Sequence, residues 1–105
     1  MEAALKAIAE PRRREILRLV WDAERSAGDI ASHFEVSRPA ISQHLTVLRS
    51  VGLVTERKDG TRRLYRVNHD ALAELQRSLQ AFWGDSLATL KREVESSERR
   101  RRGRR

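Results

Sequence analysis

The chain has 105 residues, 39% of them apolar and 35% charged, and it contains no cysteine. That is enough for one domain with a modest core, and it excludes disulfides, thiolate metal sites and thiol chemistry within the chain. No apolar run approaches the ~20 residues of a membrane span and no signal-type apolar segment follows Met1, so a cytoplasmic protein without membrane contact is expected.

The net charge of +7 is unevenly placed. Arg99, Arg100, Arg101, Arg102, Arg104 and Arg105 are six of the 22 basic residues, and the other 16 face 15 acids, a surplus of one. The basicity of the whole therefore says little about partners, and local patterning has to decide. Away from the C-terminal end, positive charge gathers between Arg38 and Arg66, where Arg38, Arg49, Arg57, Lys58, Arg62, Arg63 and Arg66 stand against Glu56 and Asp59.

Residues 2–9 are alanine-rich and helix-prone. Glu10-Pro11 interrupts them and suits the first turn of a second helix, whose stripe of Ile16, Leu17, Val20 and Trp21 is expected to face inward. A polar connection, 22–26, leads to a third helix opened by Ser26 or Asp29 and carrying Ile30, Ala31 and Phe34. After the turn Glu35-Val36-Ser37, a fourth helix is predicted over 38–50, with Ser37 as N-cap, Pro39 in the first turn and Gly52 as left-handed C-cap.

Two alternating segments, 53–58 and 61–67, flank Asp59-Gly60. Asp-Gly suits a two-residue type I′ turn, which predicts a β-hairpin with Val54 opposite Tyr65 and Val67 on the same face. A last helix capped by Asn68 or Asp70 carries Leu72, Leu75, Leu79, Phe82, Trp83, Leu87, Leu90 and Val94. Over about 24 residues it extends roughly 36 Å, more than a body this size needs to cover its own core. Its apolar stripe is therefore read as a dimer interface rather than as core. Residues 96–105 are expected to be a basic, disordered tail, leaving 1–95 as the single folded domain.

The fourth helix carries the functional argument. Ile41, Leu45 and Leu48 recur at helical spacing and face the core, with Phe34 and Val36 locking this helix to the one before it. The other side displays Arg38, Ser42, Gln43, Thr46 and Arg49. The major groove of DNA admits one α-helix, and arginine and glutamine make bidentate bonds to guanine and adenine respectively. Ser37 and Ser42 suit phosphate oxygens, as do the free N–H groups of the first turn. Arg57, Lys58, Arg62 and Arg63 flank the hairpin turn and would lie on backbone phosphate or reach the minor groove. Alone, such a charged hairpin could be merely solvated. Next to a helix-turn-helix it reads as a wing.

The segments EPRRREIL, SAGDIASHFEVSRPAISQHLTVLRSVGLV and the DG turn with LYRV resemble the ArsR-type winged-helix repressors of bacteria, most closely a small autorepressor-like branch. The resemblance covers roughly Ala3 to Val67, with a weaker echo in the last helix. It implies a mainly α fold with a hairpin wing in the order α-α-α-α-β-β-α, and a homodimer that represses transcription and is released by a small-molecule or protein effector. Carried over by position, the recognition helix is 38–50. Its groove-facing residues are Arg38, Pro39, Ser42 and Gln43, with His44 at the edge, and the wing is 57–63. The first and last helices pair across the dimer, which brings Leu5 to Leu72, Leu75, Leu79, Phe82, Trp83, Leu87 and Leu90. Many relatives sense metals, but here the GDIASHF helix offers Asp29 and His33 without thiols, and the last helix has Asp85 and glutamates but no histidine after His69. With His33, His44 and His69 on three different elements, no metal or other cofactor is expected. Trp21, Phe82 and Trp83 read as core or dimer-contact aromatics, with an effector pocket between the last helices as the alternative.

No phosphate-cradling glycine loop or nucleophile motif points to an enzyme. The expected function is a sequence-specific, homodimeric DNA-binding repressor acting on a palindromic operator. The rival is a winged helix used as a protein-interaction module, its basic face meeting an acidic partner.

Overall fold

The computed structural model describes residues 1–103, with side chains described to Arg100. In chain order the elements are α1 (Glu2–Ala9), α2 (Pro11–Leu19), β1 (Arg25–Ser26), α3 (Ala27–Ala31), α4 (Arg38–Ser50), β2 (Val54–Asp59), β3 (Arg62–Val67) and α5 (His69–Gly103). The chain divides into two units, Met1–Ala73 and Glu74–Arg105. The first holds all elements up to the opening of α5, and the second is the remainder of that helix.

Side-chain caps start four of the helices: Ser26, Ser37 and Asn68 are among the caps the sequence offered, and Glu10 is an additional one. Glu10 accepts the Arg13 N–H at 3.0 Å, with Pro11 behind it in the first turn, and Ser26 accepts the Asp29 N–H at 3.1 Å. Ser37 Oγ accepts from Ala40 N at 3.3 Å and Asn68 Oδ1 from Ala71 N at 3.2 Å. Each satisfies a backbone donor that the first turn leaves without an intrahelical partner. The end of α4 is equally specific. Gly52 adopts φ +80°, its N–H donates to the Arg49 carbonyl at 3.0 Å, and the Leu53 N–H donates to that of Leu48 at 3.0 Å. This pair of bonds is the Schellman arrangement, which needs a left-handed residue at the position of Gly52.

The core of the first unit is built from Ile16, Leu17 and Val20 of the α2 region, Ile30 of α3, Ile41, Leu45 and Leu48 of α4, and Leu53, Val54, Tyr65 and Val67 of the hairpin, all buried. No buried side chain among them is charged. Trp21, expected on the inward stripe, is instead 43% exposed, because α2 ends at Leu19 and the chain has already turned. Its indole edge meets the ring of His69, with centroids 4.9 Å apart at 89°, and His69 Nε2 lies 2.9 Å from the Trp21 carbonyl oxygen. Phe34 and Val36 are half-buried, as a bracket between α3 and α4 requires, but α3 stops at Ala31, before Phe34.

The hairpin departs from the expected register. Asp59 pairs with Arg62, Glu56 with Tyr65 and Val54 with Val67, so the two turn residues are Gly60 and Thr61. Gly60 has φ +64°, and among the described residues no non-glycine residue has a positive φ. A type I′ turn over Asp59-Gly60 would force Asp59 into the left-handed region. A single left-handed residue at the first turn position is instead the type II′ pattern, which leaves β-branched Thr61 unstrained. The slip is two residues, so Val54, Tyr65 and Val67 keep their common face.

Two further differences concern what the sequence left as connection or tail. Residues 25–26 form a short third strand on β3, pairing Arg25 with Tyr65 and Ser26 with Leu64. And α5 runs 35 residues, through the segment expected to be disordered from residue 96, as far as Gly103; residues 104 and 105 of that expected tail lie outside the described residues. Glu95 and Arg99 stand at i,i+4 in the favourable order, and arginines near a helix C-terminus complement its dipole. Within the second unit Phe82, Trp83, Leu87, Leu90 and Val94 are all more than half exposed, and Phe82 and Trp83 meet edge to face at 5.5 Å.

Leu45 is 1% exposed and anchors the back of α4. Leu45→Ala should therefore lower unfolding free energy by about 2–5 kcal/mol, measured by denaturant titration.

Candidate nucleic-acid interface

One face of α4 is buried through Ile41, Leu45 and Leu48. Period 3.6 then obliges Pro39, Ser42, Gln43 and Thr46 to face outward, with Arg38 and Arg49 along one edge. All six are exposed. Thr46 Oγ1 donates to the Ser42 carbonyl at 2.9 Å, a back-bond that fixes its rotamer and leaves its lone pairs facing out. The guanidinium of Arg38 packs against α3, within 3.7 Å of where a Cβ on Gly28 would stand.

His44 does not belong to this face. It lies on the opposite edge of the helix, half-buried, with Nε2 3.9 Å from Glu10 Oε2, and is turned towards the start of α2. Ser37 is exposed but spends its hydroxyl oxygen on the cap. The edge carrying Arg38 borders the wing. Between them opens a concave cleft of about 590 Å³, lined by Arg38, Ser42 and Thr46 of α4, Thr61, Arg62 and Arg63 of the wing, and the start of α3. Three arginines and several hydroxyl-bearing residues are among its lining, residue types suited to phosphate oxygens.

The basic wing is less free than its sequence suggested. Arg57 donates to both oxygens of Glu24, at 2.9 and 3.3 Å. This hydrogen bond, with the charge of Glu24 next, pushes the Arg57 pKa further up. Arg62 lies 3.6 Å from Asp59. Glu56 holds two arginines at once: Arg49 from α4, through a hydrogen bond to Oε2, and Arg63 from β3, 3.5 Å from Oε1. Lys58 is exposed, and no ion pair involves it among the described residues. Glu56 itself is only 13% exposed. It sits directly across from Tyr65, whose phenol pKa is raised by burial first and by the Glu56 charge second, with Arg63 and Arg49 opposing.

Reading the sequence for basic residues missed Glu24 and Glu56 as their partners. One signal was present: Glu56 is two residues from Val54 in a strand and so shares the hairpin's inward face, an unusual position for an acid. Nothing local announced Glu24, 33 residues from Arg57.

Asp29 and His33, the two possible ligands that the GDIASHF helix offers, lie on α3 and just past its end. Asp29 pairs with Arg25 at 2.9 Å, and among the described residues no group of three or more histidine, aspartate or glutamate side chains converges. No helix among them is long and apolar enough to cross a membrane.

A tri-helical body, a helix braced from behind with its polar side exposed, and a three-stranded hairpin beside it define a winged helix-turn-helix protein. Residues 10–56 match the model of the bacterial regulatory proteins of the arsR family. The chain is 40% identical over 86 residues to HTH-type transcriptional regulator Rv2034 of Mycobacterium tuberculosis, covering 82% of this chain and 80% of that one. It is 38% identical to the transcriptional repressor SdpR of Bacillus subtilis, over 70% of this chain and 82% of the relative. Among solved structures, it is similar to the homodimeric winged helix-turn-helix DNA-binding domain of Mb0332 from Mycobacterium bovis. The TM-score is 0.65 at 34% identity, over 80% of this chain and 78% of that one. The chain belongs to the ArsR family, a family of regulators rather than enzymes.

Proposed function

We propose that the protein is a sequence-specific DNA-binding repressor of transcription that acts as a homodimer on a palindromic operator. The observation that carries this reading is the exposed polar face of α4 beside a cleft lined by Arg38, Arg62 and Arg63. A helix inserted in the major groove brings Gln43 and its neighbours Pro39, Ser42 and Thr46 to base edges. The adjacent cleft then receives the sugar-phosphate backbone, with Arg38, Arg62 and Arg63 as donors and Lys58 at the wing tip. Carboxylates hold Arg49 and Arg57, and Arg63 too must share its charge with Glu56. His44, turned away, takes no part in reading sequence.

Dimerisation is assigned to α5. An apolar stripe of Phe82, Trp83, Leu87, Leu90 and Val94 exposed to water is unfavourable, and covering each such side chain stabilises by about 1.5–3 kcal/mol. A second copy presents the same stripe, which satisfies both at once. Leu5, Leu72 and Leu79 are half-buried in the single chain and Leu75 is already buried, so the exposed distal residues supply most of the interface. Two-fold symmetry places two α4 helices on half-sites about 34–36 Å apart or a multiple of that. Repression follows when the occupied promoter excludes polymerase.

Selecting bound duplexes from a random pool should return one palindromic consensus. Gln43→Ala should then cost about 1–3 kcal/mol at a single base pair of each half-site and leave the others unchanged, read by competition binding. Arg62→Ala should weaken binding to all sequences alike and flatten the dependence of log K on log salt by about one unit. Leu87→Glu should shift the protein towards monomer in light scattering and lower affinity for the palindrome, while the circular dichroism of the winged helix persists. Recovery of no consensus, with equal weak binding to every duplex, would defeat the proposal.

A further inference from the structure

We propose that Glu56 is an internal stand-in for phosphate that occupies Arg49 and Arg63 and so holds down the protein's sequence-independent affinity for DNA. The inference rests on the DNA-binding reading above and adds a role for a residue that touches no base. Three observations carry it. Glu56 is 13% exposed, whereas its partners Arg49 and Arg63 are 48% and 57% exposed, so the acid is fixed and the arginines are its outward-reaching ligands. Its two oxygens are divided between them, one to the recognition helix and one to the wing. And the position is not needed as packing: a β-branched or aromatic side chain opposite Tyr65 would suit that inward face better than a carboxylate.

A guanidinium donates to a carboxylate through the same planar fork it offers a phosphate. Being tethered, Glu56 competes at high effective concentration with any phosphate that approaches. Phosphate attraction is the same for every sequence, while base contacts are not. Discounting two arginines therefore lowers affinity for every duplex by about the same factor, and a larger share of the binding energy at the correct site then comes from Gln43 and its neighbours, whose contacts Glu56 leaves alone. Across the chain the same economy recurs, with Glu24 on Arg57 and Asp59 near Arg62. Outside residues 99–105 the charge surplus is one.

The rival role is a plain brace, Glu56 merely tying the wing to α4. The two give opposite signs. In the full-length protein, Glu56→Gln keeps size and shape but lets both arginines go. On a random-sequence duplex pool its affinity at low salt should rise about tenfold. The slope of log K against log salt should steepen by up to about two units, since each arginine released to a phosphate adds about 0.9. Affinity for the selected palindrome should rise by a similar factor, so that preference over the pool stays about the same. Arg63→Ala should flatten the slope more in the Glu56→Gln background than in the native one, a non-additivity that a brace does not produce. Circular dichroism and thermal melting establish that each variant is folded, and Glu56→Asp, whose shorter arm still carries the charge, should fall between native and Gln. Equal loss of affinity on pool and palindrome in Glu56→Gln, or no change in slope, would overturn the inference while leaving the DNA-binding reading intact. A native protein that shows no preference for any sequence would overturn both.

Discussion

The arrangement depends on the burial of one narrow stripe. Ile41, Leu45 and Leu48 are each at most 1% exposed, and their removal from water fixes the rotation of α4 about its own axis. Once that rotation is set, no separate interaction is needed to point Gln43 and Ser42 outward; helical geometry does it. The caps refine the placement. Ser37 determines where the helix starts and the Gly52 turn where it stops, and the Leu53 N–H that closes that turn is the first backbone group of the path into the wing. Recognition surface and wing are thus placed by one short run of chain.

Much of this was legible because the signals are local. Caps, the buried period of α4 and a glycine with left-handed φ each need only a few neighbouring residues. The hairpin register was not, since it turned on whether Asp59 or Gly60 takes the left-handed position, and a two-residue slip leaves the pattern of alternation untouched. Nor was β1, whose two residues have no pattern of their own and pair with residues some forty positions away on β3. Trp21 was misplaced for a similar reason: helical periodicity was continued past the point where the helix ends. Within the candidate site, the side chains expected on the outer side of α4 are exposed, while His44, which the resemblance put at the edge of the groove-facing set, turns its side chain to Glu10.

Charge is where composition misleads most. The wing's basic residues look like a free positive surface in the sequence, yet acids from β2 and from the segment before β1 hold Arg49, Arg57 and Arg63. A solvent-facing pair such as Arg57 with Glu24 adds little to stability. The weight of these pairs lies in the field they leave behind, since a protein searching long DNA is slowed by every phosphate it grips. A near-neutral body with a shaped polar helix separates finding a site from adhering to the polymer.

The wing is also unevenly held. At its root the Val67 N–H donates to the Val20 carbonyl at 3.1 Å and the Asn68 N–H to that of Leu53 at 2.8 Å, and β1 flanks β3 beside them. At its far end only the two-residue link of Gly60 and Thr61 joins the strands, with exposed side chains around it. Mechanically this is a cantilever, clamped at the base and joined at the free end by the turn alone, so the backbone bonds that hold the hairpin to the rest of the first unit all lie at its root.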